Sequence, residues 1–178
     1  MSAAEYLTRP PEDRSTQLVG GEIVVNQPSV RHQEIVLFLA LCLRRWTETE
    51  PRRGMAGLSV DVMLDEANVF APDVWWVTEE HRPHRDASGL EGPPDLAVEV
   101  RSPSTWRYDI GAKKASYQHH GLAELWLVDT ESATVLVYRR SVPAAGAFDI
   151  ALELGAGETL TSPLLPGFTL AVAEIFDR

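Results

Sequence analysis

The clearest periodicity in the chain is helical. Ile35, Val36, Leu39, Leu43 and Trp46 recur at the three-to-four spacing that puts apolar side chains on one helix face. Ser29 stands where an N-cap hydroxyl belongs, and Pro51 stops the run. Upstream, Leu18-Val19 and Ile23-Val24-Val25 flank Gly20-Gly21, so Gln17 to Asn26 reads as a hairpin with a primed turn. Residues 1–16 are polar and contain proline, which predicts a short helix or arm. Downstream, Met55–Leu64 and Val74–Val77 read as strands, and Thr78 to Pro94 as a polar loop.

The second half alternates more sharply. Leu96–Val100 is a short strand, Trp106–His120 a helix closed by Gly121, and Glu124–Val128 and Thr134–Tyr138 two strands around a turn at 129–132. A strand near Phe148–Leu154, a turn at Pro163–Gly167 and an apolar segment to Phe176 complete the chain. The strand–helix–strand unit at 95–129 predicts an α/β fold with a central mixed sheet and helices packed on it. A length of 178 residues suits one domain, 1–178, since single domains commonly run to about 100–200 residues.

Charge and composition narrow the function classes. A net charge of −10 argues against a broad, non-specific nucleic-acid coat, which needs cations to replace counterions. Within that acidic chain, 101–120 holds Arg101, Arg107, Lys113 and Lys114 against one acid, Asp109. This is either a solvated surface or a local basic groove. No apolar run approaches the roughly 20 residues of a membrane span, and the start of the chain lacks a secretory signal pattern. The single cysteine, Cys42, lies in an apolar helical run and reads as a small buried hydrophobe. A cytoplasmic protein is expected.

The candidate chemistry lies in carboxylates placed on apolar strands. In Pro94-Asp95-Leu96-Ala97-Val98-Glu99-Val100, alternation puts Asp95, Ala97, Glu99 and Arg101 on one face. Either one acid sits at the exposed strand start and the other pairs with a cation, or the acids serve a hard divalent metal, which takes oxygen ligands. Asp73, after Ala71-Pro72, opens the apolar strand Val74-Trp75-Trp76-Val77 in the same setting. Past the turn Ser102-Pro103-Ser104-Thr105, Asp109, Lys113 and Tyr117 follow at four-residue intervals on one helix stripe. Lys113 is either half of a surface pair with Asp109 or reaches back towards Glu99, where its ammonium would meet charge building on a phosphate.

These residues in this order resemble the Uma-two family of endonucleases, within the PD-(D/E)XK nuclease superfamily. The resemblance runs through Gly21-Glu22-Ile23-Val24, His32-Gln33-Glu34-Ile35, Ala71-Pro72-Asp73-Val74, Pro94 to Val100, Ser102-Pro103-Ser104-Thr105, Asp109, Lys113, Tyr117, Gly121, Leu125 to Asp129 and Leu165-Pro166-Gly167-Phe168. It implies a restriction endonuclease-like core, with an N-terminal hairpin and additional C-terminal strands. It implies Asp73, Glu99 and the Val100 carbonyl as metal ligands for Mg²⁺, with Mn²⁺ as a substitute, and Lys113 as the catalytic lysine. Position 101, two residues after Glu99, carries arginine, which stays protonated and cannot act as a base but could hold a phosphate. Glu34, Asp95, Arg101 and Asp109 are accessory candidates. His32 reads as a capping or packing histidine, and Trp106 as a residue able to stack on a base.

The implied activity is metal-dependent hydrolysis of phosphodiester bonds in a nucleic acid, DNA first. The alternative is a catalytically silent module that binds or regulates on the same fold. A small-molecule domain has no support, because the chain lacks a glycine-rich phosphate loop. A homodimer would suit a duplex substrate.

Overall fold

The computed structural model describes residues 1–10 and 16–177. Of the expected N-terminal arm, Ala3–Leu7 is a helix, α1, capped by Ser2 and Glu5, whereas 11–15 lie outside the described residues. β1 (Thr16–Val19) and β2 (Glu22–Val25) form the expected hairpin. Gly20 and Gly21 both have positive φ, 59° and 79°, which is what a primed turn requires of its two central residues. α2 (Val30–Thr49) begins where Ser29 accepts the His32 N–H at 3.2 Å.

The segment read as one strand at Met55–Leu64 is two strands in different sheets, β3 (Met55–Leu58) and β4 (Asp61–Asp65). β5 (Asn68–Phe70) and β6 (Val74–Val77) follow. The expected loop to Pro94 contains a further short strand, β7 (Gly89–Glu91), which pairs in parallel with β4. β8 (Leu96–Val100) leads into a helical stretch of three parts: α3 (Trp106–Tyr108), a π-helical turn (Asp109–Lys113) and α4 (Lys114–His119). Gly121, at φ 87°, ends it. β9 (Glu124–Asp129), β10 (Thr134–Arg139), β11 (Ile150–Leu154), β12 (Thr159–Leu160), β13 (Leu170–Ala171) and α5 (Val172–Phe176) complete the chain.

Six strands in the order β11-β10-β9-β8-β6-β3 make the central sheet. It is mixed: β8 and β9 run parallel, joined by the helical crossover, and every other neighbour pair is antiparallel. A second sheet, β2-β1-β5-β4-β7, is a layer that strand patterning did not anticipate.

Strand alternation divides the core between the two faces of the central sheet. Leu96, Val98 and Val100 pack with Trp126 and Val128 against the inward stripe of α2 and against Val172 and Ile175 of α5. In that stripe Ile35, Leu39 and Leu43 are almost fully buried, each contributing about 1.5–3 kcal/mol of burial energy. Cys42 sits half-buried at the margin of this cluster rather than inside it. On the other face, Ala97, Leu125 and Leu127 pack against Tyr117 of α4 and against Val19, Val24 and Phe70 of the second sheet. Glu99 belongs to this second face and therefore emerges beneath α4.

Candidate active site

Asp73 immediately precedes β6, and Glu99 is the fourth residue of β8. These strands pair antiparallel with Val74 opposite Val98. One more step of that register brings Asp73 across from Glu99, although 26 residues separate them in sequence. Both side chains are buried.

Each carboxylate is held by one oxygen. Asp73 Oδ2 accepts the Val100 N–H at 2.8 Å and faces His32 Nε2 at 3.2 Å. Glu99 Oε1 accepts the Tyr117 hydroxyl at 3.0 Å and lies 2.7 Å from Lys113 Nζ. Asp73 Oδ1 and Glu99 Oε2 have no hydrogen-bond partner among the described residues. The protein thus fixes the orientation of both carboxylates and leaves one oxygen of each uncommitted.

Lys113 is 1% exposed, its ammonium set between Glu99 and Asp109, the latter at 2.9 Å. The contacts are ion pairs rather than aligned hydrogen bonds. Asp109 is fixed in turn: Thr105 donates to its Oδ2 at 3.0 Å, and Ser102 shares a hydrogen bond with Thr105 at 2.8 Å. The π-helical turn spans Asp109 to Lys113, and such turns inside helices are frequent at functional sites. The sequence alternative of a surface Asp–Lys pair is therefore replaced by a buried triad.

Two carboxylates, Glu99 and Asp109, share this one ammonium, and the negative charge of Asp73 also acts on Glu99. Burial pushes the Glu99 carboxyl up from the usual range; Lys113 opposes the shift, and Asp109 and Asp73 add to it. Burial pushes Lys113 down, but Asp109 and Glu99 outweigh it and hold the ammonium charged. Burial and the negative charge of Glu99 also keep the Tyr117 hydroxyl protonated, so it stays a donor.

The other sequence candidates separate. Asp95 lies at the opposite end of β8, where it accepts the Thr78 N–H at 2.7 Å and pairs with His81 at 2.9 Å. Glu34 is exposed on the outer side of α2 and takes no part in the site. Arg101 is not a free phosphate clamp: it pairs with Asp129 at 3.0 Å and Glu131 at 2.7 Å. Its guanidinium also lies 5.2 Å from the Trp106 ring centre and so occupies one face of the ring expected to stack on a base. Arg101 is paired and Lys113 buried, so neither contributes to an open basic groove.

His32 is the residue that sequence reasoning undervalued. It shares the inward stripe of α2 with Ile35 and Leu39, and a histidine on an otherwise apolar stripe was the available signal. Glu34, two residues on, is turned to the opposite side of the helix.

A cavity of about 240 Å³ opens onto Asp73, bordered by Gln17, Asn26, Gln33 and Ser59. Glu99 and Lys113 are not among its lining residues. The larger cavity, about 700 Å³, is lined by Trp75, Arg82 and Arg85 and includes none of the site acids. Among the described residues no three His, Cys, Asp or Glu side chains converge as a ready metal site. Two uncommitted carboxylate oxygens with a backbone carbonyl still fit Mg²⁺, which keeps several waters and needs few protein ligands.

A family model described as "Putative restriction endonuclease", Uma2, matches residues 3–173. Among solved structures, the chain is similar to a crystal structure titled as a putative nuclease belonging to DUF820 from Anabaena variabilis ATCC 29413. The two superpose with a TM-score of 0.84 over 99% of this chain and 98% of that one, at 18% identity. Among curated proteins none matches. No helix among the described residues is long and apolar enough to cross a membrane.

Proposed function

The chain belongs to the Uma2 restriction endonuclease family, and on that premise we propose that it is a metal-dependent endonuclease that hydrolyses phosphodiester bonds in DNA. The observation that carries the proposal is the pairing of Asp73 with Glu99, each leaving one oxygen uncommitted, beside a buried and charged Lys113. A structural ion pair would need only one carboxylate for the lysine and no second acid across the strand.

In this reading Asp73, Glu99 and the Val100 carbonyl hold Mg²⁺ or Mn²⁺. The ion, when bound, polarises the scissile phosphate and makes a bound water a better nucleophile. The remaining roles belong to the chain. His32 and the Val100 N–H keep Asp73 from rotating away, and Tyr117 does the same for Glu99. Lys113 is paired with Glu99 and Asp109 by charge and not by aligned hydrogen bonds, so its ammonium keeps donor capacity for a phosphate oxygen. There it would stabilise the charge that develops in the transition state. Thr105, acting through Asp109, sets the position of that ammonium.

The test is calorimetric titration of the whole chain with Mn²⁺ and Mg²⁺, wild type beside Asp73→Ala and Glu99→Ala, with cleavage of duplex and single-stranded DNA and of RNA. The expected result is metal-dependent cleavage of DNA by wild type, with metal binding and cleavage lost in both variants. Wild type that binds neither ion overturns the proposal. Wild type that binds metal and cleaves nothing identifies a silent module on the same fold.

A further inference from the structure

The ridge of α2 that points away from the core is unexpectedly apolar at its centre. Val30, Glu34, Leu37, Leu41, Arg44 and Glu48 recur at alternating spacings of four and three, the seam spacing of paired helices. Leu37 and Leu41 are 55% and 45% exposed. Beside them runs β3, the end strand of the central sheet, with one edge unpaired among the described residues and Leu58 49% exposed. Leu37, Ala40 and Leu41 join Ala56, Gly57 and Leu58 around a shallow groove of about 290 Å³. Single exposed leucines are ordinary on protein surfaces, but a contiguous patch on a helix ridge and a sheet edge calls for a cover.

The charges flanking the leucines say what the cover is. Glu34 lies three residues before Leu37, and Arg45 four residues after Leu41, on the same edge of the ridge. Both are exposed, and neither forms an ion pair among the described residues. Acid, leucine, leucine, base is a self-complementary order for two antiparallel copies. A two-fold axis between Leu37 and Leu41 stacks each of these leucines on the other residue of the second copy and brings each Glu34 beside the second copy's Arg45. Parallel pairing would instead set Glu34 against Glu34.

We propose that the chain forms a two-fold homodimer through the outward ridge of α2, with Leu37 and Leu41 packed across the axis between two Glu34–Arg45 ion pairs. The proposal does not depend on the nuclease reading, because the mass of the particle does not report on catalysis.

The experiment is sedimentation velocity of the whole chain over a range of concentrations, with thermal melting as the check on folding. Wild type should sediment at twice the 19.7 kDa chain mass. Leu41→Glu should sediment as the monomer, and Leu37→Ala, a milder change, should raise the dimer Kd about tenfold or more. Glu34→Arg should weaken the dimer, and Glu34→Arg combined with Arg45→Glu should restore it. A wild type that is monomeric at every concentration overturns the proposal and leaves the ridge to a different partner. So does a Leu41→Glu variant that dimerises as tightly as wild type. Failure of the charge swap to recover what the single change loses overturns the antiparallel register.

Discussion

Tyr117 donates its hydroxyl hydrogen to Glu99 Oε1 at 3.0 Å, the same oxygen that Lys113 approaches to 2.7 Å, which leaves Oε2 of Glu99 without a hydrogen-bond partner among the described residues. A ring on α4 thereby orients a carboxylate on β8. The ring itself is fixed by edge-on packing against Phe70, 5.1 Å between centres.

Tyr117→Phe keeps that packing and removes only the hydroxyl. Hydrogen bonds that orient a metal ligand are typically worth 10–100-fold in affinity or activity. The variant is therefore expected to bind Mn²⁺ about tenfold more weakly by calorimetry. Unchanged Mn²⁺ affinity would show that Tyr117 does not position Glu99 for a ligand.

Lys113→Ala is expected to abolish cleavage while metal binding survives, since a protonated lysine is no ligand. The burial of the triad adds a second expectation. Removing the ammonium leaves Glu99 and Asp109 as buried carboxylates without a cation, and breaking a buried pair this way costs about 3–5 kcal/mol. Melting should show that loss without metal and part of it recovered with Mg²⁺. A variant that cleaves as fast as wild type removes Lys113 from the chemistry; one that melts like wild type contradicts the buried pairing.

Arg101→Ala is the matched control. Its guanidinium is already engaged by Asp129 and Glu131. Cleavage and metal binding should be unchanged, with a stability loss of about 1 kcal/mol or less. A large drop in turnover with normal melting would return Arg101 to the site as a phosphate contact.

Much of this arrangement was legible because strand alternation is a strong local signal. Two acids on apolar strands, Asp73 and Glu99, stood out, and the four-residue intervals from Asp109 to Tyr117 put Lys113 within reach of the strand end. The second sheet was not legible. β5 and β7 are three residues each, too short for a clear alternation; β5 turns straight back on β4 and also meets β1, and β7 meets β4 from far along the chain. Met55–Leu64 looked continuous because both halves are apolar, yet the chain changes sheets between Leu58 and Asp61. Resemblance drew attention to Glu34, whereas His32, read as a capping or packing residue, is the one that α2 turns inward.

Glu124 is a buried acid unconnected with the candidate site, and it gives a pH dependence that can be measured separately. It accepts from Trp126 Nε1 at 2.6 Å, Arg139 at 3.1 Å and Ser162 Oγ at 2.8 Å, joining β9 to the segment before the Pro163–Gly167 turn. Burial pushes its carboxyl above the usual 4.5, although Trp126, Arg139 and Ser162 pull the other way. A carboxyl whose folded pKa is raised binds its proton more tightly in the folded state. Its contribution to stability is therefore fully present below the unfolded value of 4.5 and falls as pH rises through the folded value. Glu124→Gln removes this titration. Melting of wild type and variant from acid to neutral pH should show the wild type losing ground relative to Glu124→Gln once pH passes 4.5. A difference between the two that stays constant across that range would mean that Glu124 titrates alike in the folded and unfolded chain.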